Sequence, residues 1–108
     1  MGLEYGIKVA PSTKIPEVIE RLSSVITMPA IYRMERTPEG FAVVQDHAAW
    51  PEVIQVSIER ATGLEELEDG APYIYCLFHI GGELASTWLR QMQTETERID
   101  ELSEWFEF

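Results

Sequence analysis

The stretch WPEVIQVSIERATG, residues Trp50–Gly63, decides the fold because its pattern fits two secondary structures. As a helix it would begin at Pro51 and end at Gly63, since proline is common in the first turn and glycine just past the last. As a strand its side chains would alternate between two faces, and its high content of Val and Ile favours that arrangement. Hydrophobic periodicity alone leaves both interpretations open.

A four-residue repeat slightly favours the helix. The letters PEVI occur at Pro16–Ile19 and again at Pro51–Ile54, each time after a bulky apolar residue. The first copy opens a segment with helical spacing and with proline in its first turn. Six apolar residues carry that spacing: Ile15, Val18, Ile19, Leu22, Val25 and Ile26. By analogy, the second copy predicts a second helix.

The other predicted elements follow from periodicity and turn chemistry. Alternation predicts a strand at Leu3–Val9, and a Pro- and Gly-containing turn at Thr37–Gly40 predicts a hairpin. A further strand is predicted at Tyr73–Ile80, and a long helix at Glu83–Phe108.

The predicted fold is α+β, a single domain over residues 1–108 with helices packed on an antiparallel sheet. With a helix over 50–63, the order is the ferredoxin-like β-α-β-β-α-β plus a long C-terminal helix. With a strand there, the order becomes β-α-β-β-β-β-α, a curved, cystatin-like sheet.

The net charge limits the classes of partner that the protein can bind. The 108 residues carry a net charge of −11, and from Glu59 onward there are twelve acidic residues against three basic ones. Such a field repels nucleic acid and anionic membranes and attracts cationic partners. We therefore expect neither nucleic acid nor membrane as a partner.

The cellular compartment is predicted from what the sequence lacks. No apolar run approaches the roughly 20 residues of a membrane span, and the N-terminal segment does not have the pattern of a signal peptide. A single cysteine excludes an intrachain disulfide. These features predict a cytoplasmic protein.

The segment YIYCLFHI brings Cys76 within three residues of His79. On a strand, residues an odd number apart face opposite sides, so this pair cannot act as nucleophile and base. We expect Cys76 to lie in the core as a small apolar residue. No catalytic residue is assigned, and an enzyme using His47 or His79 as acid or base is the third hypothesis.

No metal or cofactor is expected. The cluster EELED, Glu65–Asp69, lacks the alternating ligands and central glycine of a calcium loop. Two histidines and one cysteine do not make a zinc signature. Nucleotide-binding and nucleophile motifs do not occur.

The opposite face of the same strand is aromatic with polar tips. Such a face suits packing, self-association or a ligand cleft. The second hypothesis is therefore a domain that binds a small cationic or aromatic molecule. Its predicted ligand-binding residues are Trp50, Tyr73, Tyr75, His79 and His47.

The C-terminus combines acids with aromatic rings, a composition that suits a basic partner because rings anchor and charge steers. The alternative is that the rings fold back onto the sheet. The predicted partner-binding residues are Glu101, Glu104, Trp105, Phe106 and Phe108.

These residues support the leading hypothesis: a non-catalytic interaction module, forming a homodimer, that engages a basic protein partner. In size, acidity and absence of catalytic motifs, the chain looks like small bacterial accessory proteins of the immunity or inhibitor type.

Overall fold

The computed structural model describes residues 3–26, 31–45, 52–80 and 82–108, with only the backbone of Glu52 included. The elements in this part of the chain are β1 (Leu3–Lys8), α1 (Ile15–Val25), β2 (Tyr32–Thr37), β3 (Gly40–Gln45), β4 (Glu52–Arg60), β5 (Pro72–Phe78), α2 (Gly82–Ile99) and β6 (Glu104–Glu107).

The strands form one antiparallel sheet in the order β2-β3-β4-β5-β1-β6. The N-terminal strand β1 pairs with β5 on one side and with the C-terminal strand β6 on the other. The two helices pack against this sheet, so the predicted α+β class is confirmed. The predicted hairpin is also present, since β2 ends at Thr37 and β3 begins at Gly40.

The helix predicted for Trp50–Gly63 is wrong, because Glu52–Arg60 is strand β4. This strand lies inside the sheet, paired with β3 and β5, and its Val53, Ile54 and Val56 have no solvent exposure. Pairing on both sides satisfies the backbone polar groups of these buried residues. The ferredoxin-like topology is therefore not confirmed. The element order is that of the alternative, with β6 added.

The long C-terminal helix is also shorter than predicted. Helix α2 ends at Ile99, and a turn follows in which the N–H of Ser103 donates to the carbonyl of Asp100 at 3.1 Å. Residues Glu104–Glu107 then form β6 along β1. Acidic side chains are unfavourable in the last turn of a helix because that end of the helix dipole is negative. In β6 the backbone of these residues pairs with the edge of β1 instead.

The core lies between the sheet and α1, with α2 packed on α1. The helical stripe predicted for α1 is buried at Ile15, Val18, Ile19 and Leu22. From α2, the fully buried Trp88 meets Tyr32 edge to face at 5.3 Å between ring centroids. Neither helix in the described part of the chain combines the length and apolar composition needed to cross a membrane.

Candidate binding surface

The sheet has one face covered by helices and one, here called the outer face, that carries neither α1 nor α2. Cys76 and Ile74 of β5 lie on the helix side and are fully buried. Because side chains alternate along a strand, Tyr73 and Tyr75 lie on the outer face. Gly6 of β1 is opposite Tyr75 on one side and Phe106 on the other, so three neighbouring strands contribute to this face.

Four aromatic rings form a cluster on the outer face, here called the aromatic patch: Tyr73, Tyr75, Phe106 and Phe108. Phe108 lies 5.6 Å from Tyr75 and 5.6 Å from Phe106 between ring centroids. Tyr73 is 6.1 Å from Phe106. These separations are those of favourable tilted and edge-to-face ring pairs. Phe108 remains 51% exposed, so the patch presents a ring to solvent.

A glycine makes room for the patch. A Cβ atom at Gly6 would lie 2.2 Å from the nearest ring carbon of Phe106. The Phe106 ring therefore rests directly on the backbone of β1, where no other residue leaves space. Glycine inside a strand often marks such a close approach.

Carboxylates surround the patch. The hydroxyl of Tyr75 donates a hydrogen bond to Oε1 of Glu4 at 2.7 Å. Burial raises the pKa of Tyr75, and that hydrogen bond raises it further. Burial also raises the pKa of Tyr73, with the charges of Glu59 and Glu4 adding to the shift. Both phenols stay neutral at physiological pH, so the rim is negative and the rings are uncharged.

The structure separates the predicted ligand-binding residues. Tyr73 and Tyr75 lie together in the aromatic patch. His79 lies beyond the end of β5, where its backbone N–H donates to the carbonyl of Val53 at 2.9 Å. Trp50 and His47 lie outside the described residues.

The predicted partner-binding residues are also divided between two faces. Phe106 and Phe108 join the patch, and by alternation Glu104 shares their face. Trp105 lies on the helix side, edge to face with Tyr5 at 6.0 Å between ring centroids. Glu101 is exposed in the turn before β6. The rings thus fold back onto the sheet and still form a surface.

Residues that the sequence analysis missed hold the site together. Gly6 seats Phe106, and Glu4 binds Tyr75. Asp100 is buried and joins the end of α2 to the β1–α1 connection, accepting hydrogen bonds from the N–H of Ala10 at 2.7 Å and the hydroxyl of Thr13 at 3.0 Å. A glycine within a strand pattern is the sequence signal that could have identified Gly6. No local sequence pattern identifies the hydrogen-bond partners of Glu4 or Asp100.

We expect the Cys76 thiol to resist modification in the folded protein. It has no solvent exposure, and burial raises its pKa well above the ordinary thiol value, so the reactive thiolate is scarce. Labelling with a thiol reagent at pH 8 should proceed no faster than unfolding exposes the side chain. Fast stoichiometric labelling without denaturant would show that the strand assignment is wrong.

Within the described ranges, no group of three or more His, Cys, Asp or Glu side chains is arranged to hold a metal ion. In comparisons with known proteins, no protein family, curated protein or solved structure matches the chain.

Proposed function

We propose that the protein is a non-catalytic interaction module that binds a basic protein partner through the aromatic patch. The observation that carries this proposal is the set of four clustered rings on the sheet face that carries neither α1 nor α2, with carboxylates beside them. Aromatic rings are enriched where protein interfaces derive most of their binding energy.

The charge of the rim supports a basic occupant. Glu4 touches the patch through Tyr75, and Glu59 is close enough to influence both tyrosines. Lys8 is the base on β1 in this region, and it pairs in register with Glu104. A partner bearing Lys or Arg around an apolar centre would complement this arrangement and be steered by the net charge of −11.

A second copy of the chain is the competing occupant. A homodimer through the same patch would bring two rims of carboxylates together, each on a molecule of charge −11. Like charges across an interface are unfavourable, so the basic partner is the better match. Analytical ultracentrifugation of the isolated protein tests this choice. A dimer that depends on the aromatic patch would mean that the patch serves self-association and does not bind a basic partner.

The role that fits these features is that of an inhibitor or immunity-like accessory protein, which neutralises another protein by occupying its basic surface. The single, buried Cys76 and the acidic composition support a cytoplasmic location. The same negative field argues against nucleic acid and membrane partners.

Replacing Phe108 with alanine is expected to weaken partner binding by about 10-fold or more, because an exposed aromatic anchor is lost without a change in charge. The measurement is affinity capture from extract on immobilised wild type and variant, followed by isothermal titration with the purified partner. The captured partner should be basic and should elute as salt rises.

The matched control is Leu102→Ala. Leu102 is 74% exposed and Phe108 51%, so both variants lose a large exposed apolar side chain, but Leu102 lies in the turn before β6 and does not belong to the aromatic patch. Leu102→Ala should bind as the wild type does. Equal binding by all three proteins would mean that net charge alone holds the partner, and the proposal would fail.

A further inference from the structure

A second concave region lies at one end of the sheet, between the β1–α1 connection and the β4–β5 connection. This region, here called the end groove, has a volume of about 540 Å³, which is typical of sites for small organic ligands. The aromatic patch does not line it. The groove has no part in the function proposed above.

The floor of the groove is apolar. Val9 and Ile15 come from the β1–α1 side, and Leu67 and Pro72 from the β4–β5 side. Ile15 belongs to the core and Val9 packs against it, so the floor is continuous with the rigid interior. An apolar molecule of moderate size would replace water along this floor.

One wall of the groove is acidic. Glu65, Glu66 and Glu68 line it, and Lys8 is the cation among the lining residues. Three acids and one base give the lining a net charge of −2. All three glutamates are exposed, so each attracts an ammonium group only modestly, and the three together favour a cation over an anion of the same shape.

Both walls are held in place before any ligand arrives. On the acidic side, Ala61 and Ala71 close the base of the connection with an N–H to carbonyl bond of 2.9 Å. The carboxylate of Asp69 accepts from the N–H of Gly63 at 2.9 Å. On the other side, Asp100 holds Ala10 as described above. A preformed site loses less conformational entropy on binding.

We propose that the end groove binds a small organic cation with an apolar body, an arylalkylamine or alkylamine, whose ammonium lies among the three glutamates and whose body lies on the apolar floor. The apolar floor and acidic wall fit an amphipathic cation, and they disfavour an anion of the same shape. The inference stands apart from the patch and does not rest on the proposed partner.

The test is an NMR titration of the ¹⁵N-labelled protein with three probes of one shape: tryptamine, the neutral tryptophol and the anionic indole-3-propionate. Tryptamine should shift the amides of Ala10, Leu67 and Ala71 with a dissociation constant near or below about 1 mM. Tryptophol should bind roughly 10-fold more weakly, and the anion should leave these amides unchanged.

Charge variants sharpen the result. The triple variant Glu65→Gln, Glu66→Gln and Glu68→Gln should weaken tryptamine binding about 10-fold, and Lys8→Gln should tighten it by about 2- to 3-fold. The control with the same change in net charge is Glu39→Gln, Glu83→Gln and Glu97→Gln, three exposed residues that do not line the groove.

Three results would overturn the proposal. The first is an absence of shifts at these three amides with tryptamine at about 5 mM, which would place the dissociation constant well above the expected value. The second is equal binding of amine and acid, and the third is a response confined to the aromatic patch. None of these outcomes decides the Phe108→Ala experiment, so the two proposals fail separately.

Discussion

Replacing Gly6 with valine is expected to detach β6 and to lower the free energy of unfolding by about 3 kcal/mol, at the upper end of overpacking effects. A Cβ at this position would lie 2.2 Å from the Phe106 ring, and valine adds two further methyl groups there. The ring must move, and β6 moves with it. Urea denaturation measures the stability, and hydrogen exchange of residues 104–107 measures the pairing of β6 with β1.

Two companion variants separate the close contact from other effects of valine. Lys8→Val changes an exposed residue of the same strand and face, so it should leave stability within about 0.5 kcal/mol. The double variant Gly6→Val with Phe106→Ala removes the overlap and should recover part of the loss. Unchanged exchange at residues 104–107 in Gly6→Val would show that Phe106 does not rest on β1.

Replacing Asp100 with alanine is expected to lower the free energy of unfolding by about 3 kcal/mol, because a buried carboxylate with three donors disappears. Its Oδ2 accepts from Ala10 and Thr13, and its Oδ1 accepts from the N–H of Leu102 at 2.9 Å. The Ala10 N–H would lose its partner. Chemical denaturation at pH 7 measures the effect.

The contribution of Asp100 should also depend on pH. The hydrogen bond from Ala10 is the main reason that its pKa lies below the usual value, with burial opposing and the bonds from Leu102 and Thr13 adding. Because its pKa is lower in the folded state, the ionised Asp100 stabilises the fold at pH values above about 3.9, the pKa of an unfolded aspartate. This stabilisation is lost as the pH falls through the folded-state pKa. The stability difference between wild type and Asp100→Asn should therefore shrink below about pH 4.

The control is Asp69→Ala. Asp69 is exposed and accepts a hydrogen bond from the N–H of Gly63, so its loss should cost less than about 1 kcal/mol. Equal destabilisation by Asp100→Ala and Asp69→Ala would show that the hydrogen bonds of Asp100 to Ala10 and Thr13 do not stabilise the fold. So would an effect of Asp100 that does not change with pH.

Local pattern predicted the elements whose environment is half buried. Strand β1 and helix α1 each show one apolar face, and the β2–β3 hairpin has its turn marked by Pro38 and Gly40. The burial of Cys76 also followed from alternation alone. In these segments the sequence period and the tertiary environment agree.

The repeat PEVI shows why β4 was not decided by its own sequence. The same letters are helical at Pro16–Ile19, whereas Glu52–Ile54 is extended. From Ile54 to Glu59 apolar and polar side chains of β4 do alternate, and Val53, beside a register shift in the pairing with β3, is buried as well. Alternation and helical spacing therefore both fit the segment. Which pairing partners are available is a property of the whole sheet, and no local window contains it.

The C-terminal strand was missed for a similar reason. Ile99, Leu102 and Phe106 keep a helical spacing, which favoured a continuous helix. The aromatic content of EWFEF and the polar residues just before it also suit a turn followed by a strand. The free edge of β1 decides between them, and with it the position of every ring in the patch.

The most direct test of the binding surface is chemical-shift mapping of the captured basic partner on the ¹⁵N-labelled protein. If the aromatic patch binds the partner, the largest shifts fall at residues 73–77 and 104–108. Shifts concentrated on α1 and α2, with the amides of Tyr75 and Phe106 unchanged, would show that the partner binds elsewhere.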